Sequence, residues 1–255
     1  MKRKNCFLST IAPDASALAR KYNLGLEIAE FCTAYRMDAE FEETDRSLKE
    51  TLSGVSERIL HGPFNELFPC AIDPRARMLA AQRYDQAAAL AKRYAAGKVV
   101  FHAGFAPSLY YPCWFVEKSV EFWREFLQTQ PDGRVFCLEN VMETDPCWLR
   151  DIVAGVDDPH LGICLDVGHS NTYSKIPVLE WLECLSPWLK HFHIHNNHGD
   201  RDSHSGLSDG TIPMEEFLRA ASASCPNATF TLEIPENPEK DIIWMIQDHL
   251  LEESL

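Results

Sequence analysis

The chain has 255 residues, 45% hydrophobic and 24% charged, an ordinary globular composition whose length suits one α/β barrel or two small domains. Its formal net charge of -14 is unevenly spread: residues 1–98 hold 15 Lys and Arg against 13 Asp and Glu, and the rest hold 9 against 25. The acidic second part argues against a broad surface tracking nucleic-acid phosphates, and nine cysteines without a Cys-x-x-Cys pair exclude a zinc ribbon and a dithiol redox motif. Scattered, odd-numbered cysteines fit reduced thiols and a cytoplasmic location. The apolar run after Met1-Lys2-Arg3-Lys4-Asn5 is too short for a signal peptide, and no stretch approaches a membrane span.

In chain order, residues 6–11 read as a short strand, 15–22 as a helix and 25–29 as a second strand. The polar, acidic residues 34–46 read as a loop entering a helix around 48–56. Residues 58–61 form a third strand that ends in His61-Gly62-Pro63. Asp73-Pro74 then supplies an N-cap with proline at the first helical position, opening an Ala-rich helix to about residue 96 with Gly97 as its C-cap. A fourth strand, 98–101, ends in His102-Ala103-Gly104, and a helix covers 115–128. A fifth strand, 134–138, ends in Glu139-Asn140, and Asp145-Pro146 starts a short helix. The sixth strand, 162–165, runs into Asp166, with Gly168 and His169 beyond it, and a helix follows at 177–185. Residues 189–195 are the seventh strand, 196–210 a long polar loop and 213–223 a helix. An eighth strand, 229–232, ends in Glu233-Ile234-Pro235 and leads to a last helix over 238–251.

Eight strands alternating with eight helices, with no low-complexity linker, specify parallel βαβ units. They predict a single (β/α)8 TIM barrel spanning residues 1–255, with a doubly wound open sheet as the alternative. In a barrel the C-terminal strand ends converge on one face, where catalysis sits. Six strands end in residues that ligate metals: His61, His102, Glu139, Asp166, His193 or His195, and Glu233. Any one has an ordinary reading, such as Asp166 capping a helix with His169 on a surface turn. Six buried together would cost several kcal/mol each if unpartnered, and metal coordination is the economical explanation. Asp202 and His204 alternate along an extended loop and can offer both side chains to one ion, although alone they would read as solvated. His191, deepest of the three in-phase histidines on the seventh strand, reads as a core residue. Cys137 and Cys164 read as small core residues beneath the site. His160, His198 and His249 read as surface residues.

The motifs His61-Gly62-Pro63, His102-Ala103-Gly104, Glu139-Asn140, Asp166-Val167-Gly168-His169, His193-Ile194-His195-Asn196, Asp202-Ser203-His204, Leu207-Ser208-Asp209-Gly210 and Leu232-Glu233-Ile234-Pro235 together resemble the xylose-isomerase-like barrel superfamily. That superfamily includes sugar isomerases, sugar epimerases and the endonuclease IV family, and the resemblance spans nearly the whole chain. From the epimerases it implies one Mn²⁺-like ion on Glu139, Asp166, His193 and Glu233. From endonuclease IV it implies three zinc ions held by those four plus His61, His102, His169, Asp202 and His204. The chain departs from the pattern at Asn196, where the family has Asp, and it has no clear equivalent of the nuclease loops that enter DNA. Tyr110-Tyr111-Pro112-Cys113-Trp114 could stack on a base or sugar, or simply pack.

The expected function is a metal-dependent isomerase or epimerase of a small sugar, sugar phosphate or polyol. Two or three zinc or manganese ions would stabilise an enediolate while Glu139 and Glu233 exchange the proton as base and acid. His169 would bind metal or substrate, and His195 and Arg201, the long loop's one cation, would contact the substrate. The alternative is an endonuclease IV-like zinc phosphoester hydrolase; its nucleic-acid substrate is disfavoured by the charge distribution. Oligomeric state is not legible.

Overall fold

The computed structural model describes residues 1–130 and 133–252. Its strands are β1 (Cys6–Ser9), β2 (Gly25–Ile28), β3 (Arg58–His61), β4 (Lys98–His102), β5 (Val135–Glu139), β6 (Leu161–Asp166), β7 (Leu189–Ile194) and β8 (Thr229–Leu232). Each pairs in parallel with the next, and β8 pairs with β1, Leu8 standing opposite both Leu26 and Leu232. The expected (β/α)8 barrel is therefore the fold. The helices among the described residues are α1 (Ala15–Tyr22), α2 (Ala34–Asp38), α3 (Phe41–Thr51), α4 (Pro74–Arg93), α5 (Pro112–Gln128), α6 (Cys147–Val156), α7 (Val167–Tyr173), α8 (Val178–Leu185), α9 (Met214–Ser224) and α10 (Pro238–Gln247).

The strands are short apolar runs because side chains on both faces are buried. On β4, Val99 and Phe101 face the helices while Val100 faces the barrel interior with Phe7, Ile59, Cys137 and Cys164. That inner group plugs the lower barrel, and the two cysteines lie beneath the strand-end carboxylates as expected. A Cβ at Gly25 would lie 2.3 Å from the Phe7 ring, so only glycine lets Phe7 fill the floor. Outside, Tyr84 of α4 stacks on Phe101 at 4.0 Å and on Trp123 of α5 at 5.6 Å. Fully burying each such side chain contributes roughly 1.5–3 kcal/mol.

Three stretches differ from the sequence expectation. Residues 34–46, read as a loop, belong largely to α2 and α3. Their one strongly buried charge, Asp45, is matched by Arg93 at 2.8–2.9 Å and by the Tyr94 hydroxyl at 2.8 Å, partners about fifty residues away. Helix α4 ends at Arg93, with Ala95 rather than Gly97 in the left-handed region (φ 53°). Gly97 instead donates its N–H to the Arg58 carbonyl at 2.8 Å, leading the chain into β4 beside β3. Between β6 and α8 lies α7, which the chain-order reading lacks and which answers to the ordinary reading of Asp166 as a helix cap.

Candidate metal centre

Strands β3, β4, β5 and β6 end on His61, His102, Glu139 and Asp166, while β7 carries His193, and His195 and Glu233 follow β7 and β8 directly. All lie at one mouth of the barrel. Glu139, 1% exposed, is the hub. Its Oε2 lies 3.1 Å from His61 Nε2 and 3.4 Å from His102 Nε2; its Oε1 lies 2.9 Å from His193 Nδ1 and 3.5 Å from His169 Nδ1. Both Asp166 oxygens lie 3.2 Å from His195 Nε2. From the long loop, Asp202 Oδ2 reaches His169 Nε2 at 3.2 Å and His204 Nε2 at 3.1 Å. Glu233 Oε2 is 3.6 Å from His193 Nδ1 and 3.9 Å from His204 Nδ1.

Local structure fixes these side chains. Asp166 does cap a helix: its Oδ1 accepts the His169 backbone N–H at 2.7 Å at the start of α7. The same carboxylate faces the cluster, so the ordinary and the functional reading hold together. Asn140 clamps the Asp166 backbone from both sides, donating to its carbonyl and accepting from its N–H, each at 2.9 Å. Gly168 is obligatory, since a Cβ there would lie 1.9 Å from the His195 ring. Asn196 donates to the carbonyls of Leu207 (2.8 Å) and Ile212 (3.3 Å) and accepts the Ile212 N–H (3.1 Å). A carboxylate could not make both donations. Asparagine at this point therefore closes the loop that delivers Asp202 and His204.

Three histidines have their ligand atom selected by backbone. His61 Nδ1 meets the Gly62 carbonyl at 2.9 Å, His169 Nδ1 the Asn140 carbonyl at 2.9 Å, and His204 Nδ1 the Glu233 carbonyl at 2.8 Å. A carbonyl only accepts, so each Nδ1 carries a proton and each Nε2 is presented to the carboxylates.

The electrostatics are those of mutual compensation in a dry site. Burial opposes charge on Glu139, but its histidine neighbours, His193 first among them, hold its carboxyl well below the usual range. Asp166 is likewise held low against burial by His169 and His195, and Asp202 by its contacts with His169 and His204. Burial lowers His169 and His204, yet the surrounding carboxylates raise them to about 10 and about 9. His102 is pushed down to about 3 by burial, with the neighbouring histidines adding to the shift. Glu233 is raised, by burial first and then by the Glu139 and Glu27 carboxylates.

The arrangement fits divalent cations. One donor atom from each of Glu139, Asp166, His193 and Glu233 lies within 4.8 Å of the others, as in the groups His61–Glu139–His193 and His195–His204–Glu233. Ligands about 2.1 Å from a tetrahedral ion stand roughly 3.4 Å apart, in line with the contacts above. Asp202 Oδ1 and His195 Nδ1 are buried without a hydrogen-bond partner in the structure. The groups share Glu139, His193 and Glu233.

All nine candidate ligands are thus brought together. Arg201 is not: it stands exposed on the loop. His195 is fully buried, with its ring 3.9 Å from that of His204, so it lies among the ligand types instead of facing open space. Tyr110 and Trp114 pack, the latter donating to the Cys70 carbonyl at 2.8 Å, while Tyr111 is 81% exposed. Sequence reasoning missed two buried carboxylates. Glu27 is fully buried beneath His193, and its one signal was an acid inside an otherwise apolar strand. Glu143 is buried four residues beyond Glu139; its Oε2 accepts the Val141 N–H at 2.6 Å, its Oε1 has no partner, and burial raises it to about 7.

The chain is 30% identical over 172 residues to MJ1311, an uncharacterized protein of Methanocaldococcus jannaschii; the match covers 64% of this chain and 59% of that protein's length. Among solved structures it resembles a D-tagatose 3-epimerase-like protein, with a TM-score of 0.79, 22% identity, and 96% of this chain and 97% of that one covered. It also resembles the TTHB071 protein from Thermus thermophilus soaked with ZnCl2, with a TM-score of 0.77, 24% identity and the same coverage. At these identities the likeness is one of fold. A family model described as xylose isomerase-like TIM barrel matches residues 17–250, in agreement with the closed barrel, and the chain belongs to that family.

Proposed function

We propose that the protein is a metal-dependent isomerase or epimerase of a small sugar, sugar phosphate or polyol. The observation that carries this reading is the pair Glu139 and Glu233, three strands apart and both facing His193 Nδ1, at 2.9 and 3.6 Å. Glu139, Asp166, His193 and Glu233 would hold one zinc or manganese ion, and His61, His102, His169, Asp202 and His204 would complete sites for one or two more. Such an ion would polarise a substrate carbonyl and acidify the adjacent carbon-bound proton. Glu139, held ionised by its histidines, is the base. Glu233, on the other side, returns the proton. Arg201, exposed on the loop, would hold a substrate phosphate or hydroxyl. The epimerase-like and zinc-soaked structures of the same fold support the reading, as does the acidic charge of the second part of the chain.

A second reading, zinc-dependent phosphoester hydrolysis of the endonuclease IV type, is favoured by one observation: Asp202 and His204, needless for a four-ligand ion, join the cluster, Asp202 at 3.2 Å from His169 and His204 at 3.9 Å from Glu233. Two assays separate the readings. Interconversion of ketoses or ketose phosphates under manganese, lost in Glu233→Gln, is expected. Cleavage of an abasic-site duplex at low salt with added zinc, lost in the same variant, would reverse the order.

A further inference from the structure

His193 is anchored unlike the other ligand histidines. Its Nδ1 faces Glu139 and Glu233, and its Nε2 is 2.9 Å from Glu27 Oε1, a side chain from the far side of the barrel. The second oxygen of Glu27 is already saturated: Oε2 accepts from His191 Nε2 at 2.9 Å and from the Thr231 hydroxyl. Glu27, His191, His193 and Thr231 are all fully buried, so no water competes for these bonds.

On the barrel floor Lys98 Nζ donates to the Thr229 hydroxyl oxygen at 2.7 Å, which also lies 2.6 Å from His191 Nδ1 and 3.5 Å from the Lys190 carbonyl, so His191 is held from below while its Nε2 faces Glu27. The three groups on Glu27, two imidazoles and a hydroxyl, can all donate to it, and a carboxylate in that setting acts as the acceptor, so Oε1 requires a proton on His193 Nε2.

We infer that Glu27 is a positioning residue of the metal centre, holding His193 in the tautomer that keeps its proton on Nε2 and presents Nδ1 to the ion. The inference rests on the metal-centre reading above. A carboxylate behind a ligand histidine fixes the ring and raises its basicity, and losing such a partner typically weakens metal binding by about 10–100-fold. Glutamine would keep the shape of Glu27 but offer one acceptor oxygen to three donors.

The test is zinc affinity, measured by competition with a chelating dye, for the wild type, Glu27→Gln and Thr231→Val. Glu27→Gln is expected to weaken zinc binding about 10–100-fold, while Thr231→Val, which spares the His193 bond, stays within about threefold. A Glu27→Gln variant that binds zinc like the wild type would overturn the inference even if it melts earlier, because a purely structural role moves only the melting temperature. Nitrogen NMR of the zinc-loaded wild type decides independently, including where Glu27→Gln fails to fold. A proton on His193 Nε2 with Nδ1 shifted by metal supports the inference, and the reverse pattern refutes it. A wild type that binds no zinc refutes instead the reading on which the inference rests.

Discussion

Asp166 does two separable things, and two substitutions tell them apart. Its Oδ1 caps α7 through the His169 N–H at 2.7 Å, and its carboxylate charge faces His195 at 3.2 Å and His169 at 3.5 Å. Asp166→Asn keeps a capping oxygen and removes the charge; Asp166→Ala removes both. In metal-free protein both variants lose a buried charge partner, a change worth about 3–5 kcal/mol where the other charge is left alone. Here the cost falls toward the low end, because His169 retains Asp202 at 3.2 Å and His195 retains it at 3.7 Å. The alanine variant additionally loses an N-cap, about 1 kcal/mol, which in a chain of this size is about 2–4 °C in Tm. Both variants are expected to lose stoichiometric metal after desalting, read by plasma mass spectrometry, while the barrel stays folded by circular dichroism. Calorimetry in chelator should place the alanine variant below the asparagine one by that interval. A full complement of metal in either variant would refute the ligand assignment, and coincident melting of the two would refute the cap.

Metal-free protein should be most stable near pH 6.5. His169 and His204, raised to about 10 and about 9, contribute stability that is complete below 6.5 and lost as pH rises through those values. His102 and His191, lowered to about 3 and about 4, contribute stability present above 6.5 and lost as pH falls toward them. A flat profile of urea midpoints from pH 4 to 10 would contradict this. Glu143, raised from 4.5 to about 7, favours the fold while protonated and loses that contribution as pH rises through 7. Glu143→Gln should therefore gain on the wild type between pH 4.5 and 7, reaching on the order of 3 kcal/mol above pH 7, and an unchanged difference across that window would count against it. Wild-type protein grown with ample zinc and manganese should carry more than one metal per chain. Asp202→Ala with His204→Ala should lose at least one equivalent and keep another; equal metal contents would remove the loop from the site.

Much of the fold was legible because each strand carries its own signal. The apolar run of β3 and its terminal His61 were placed to the residue, as were α1 and β8. What escaped was stabilised by distant partners. Helix α3 has few buried positions, Thr44, Asp45 and Leu48, and its buried acid is matched by Arg93 and Tyr94 on the next helix, which no local pattern shows. Helix α7 is seven residues long, and Asp166, its cap, had already been read as a strand end. The site was legible as residue types at strand ends, which topology gathers without further information. Glu27 was not, because its partners His191, His193 and Thr231 stand 164 to 204 residues away and a four-residue strand has no room to announce a polar role.

The division inside the barrel explains why the ligand set is so polar without unravelling the core. Below, Phe7, Ile59, Val100, Cys137 and Cys164 pack as an apolar plug. Above it, Glu139 is matched by histidines of β3, β4 and β7, and Asp166 by His195 beyond β7, so neither strand-end carboxylate stands uncompensated. The proton positions on three histidines are dictated by the carbonyls of Gly62, Asn140 and Glu233, atoms of the strand ends themselves. The candidate ligands are therefore oriented by the barrel's own backbone, as a metal site would require. Only Asp202 and His204 come from a long loop, and that loop is closed on itself by Asn196 and by the paired Asn196 and Ser205 backbones at 2.9 Å. On the proposed function, variation elsewhere in the loops would change the substrate while the candidate ligands stay fixed, so the residues that select a substrate should be sought on the loops.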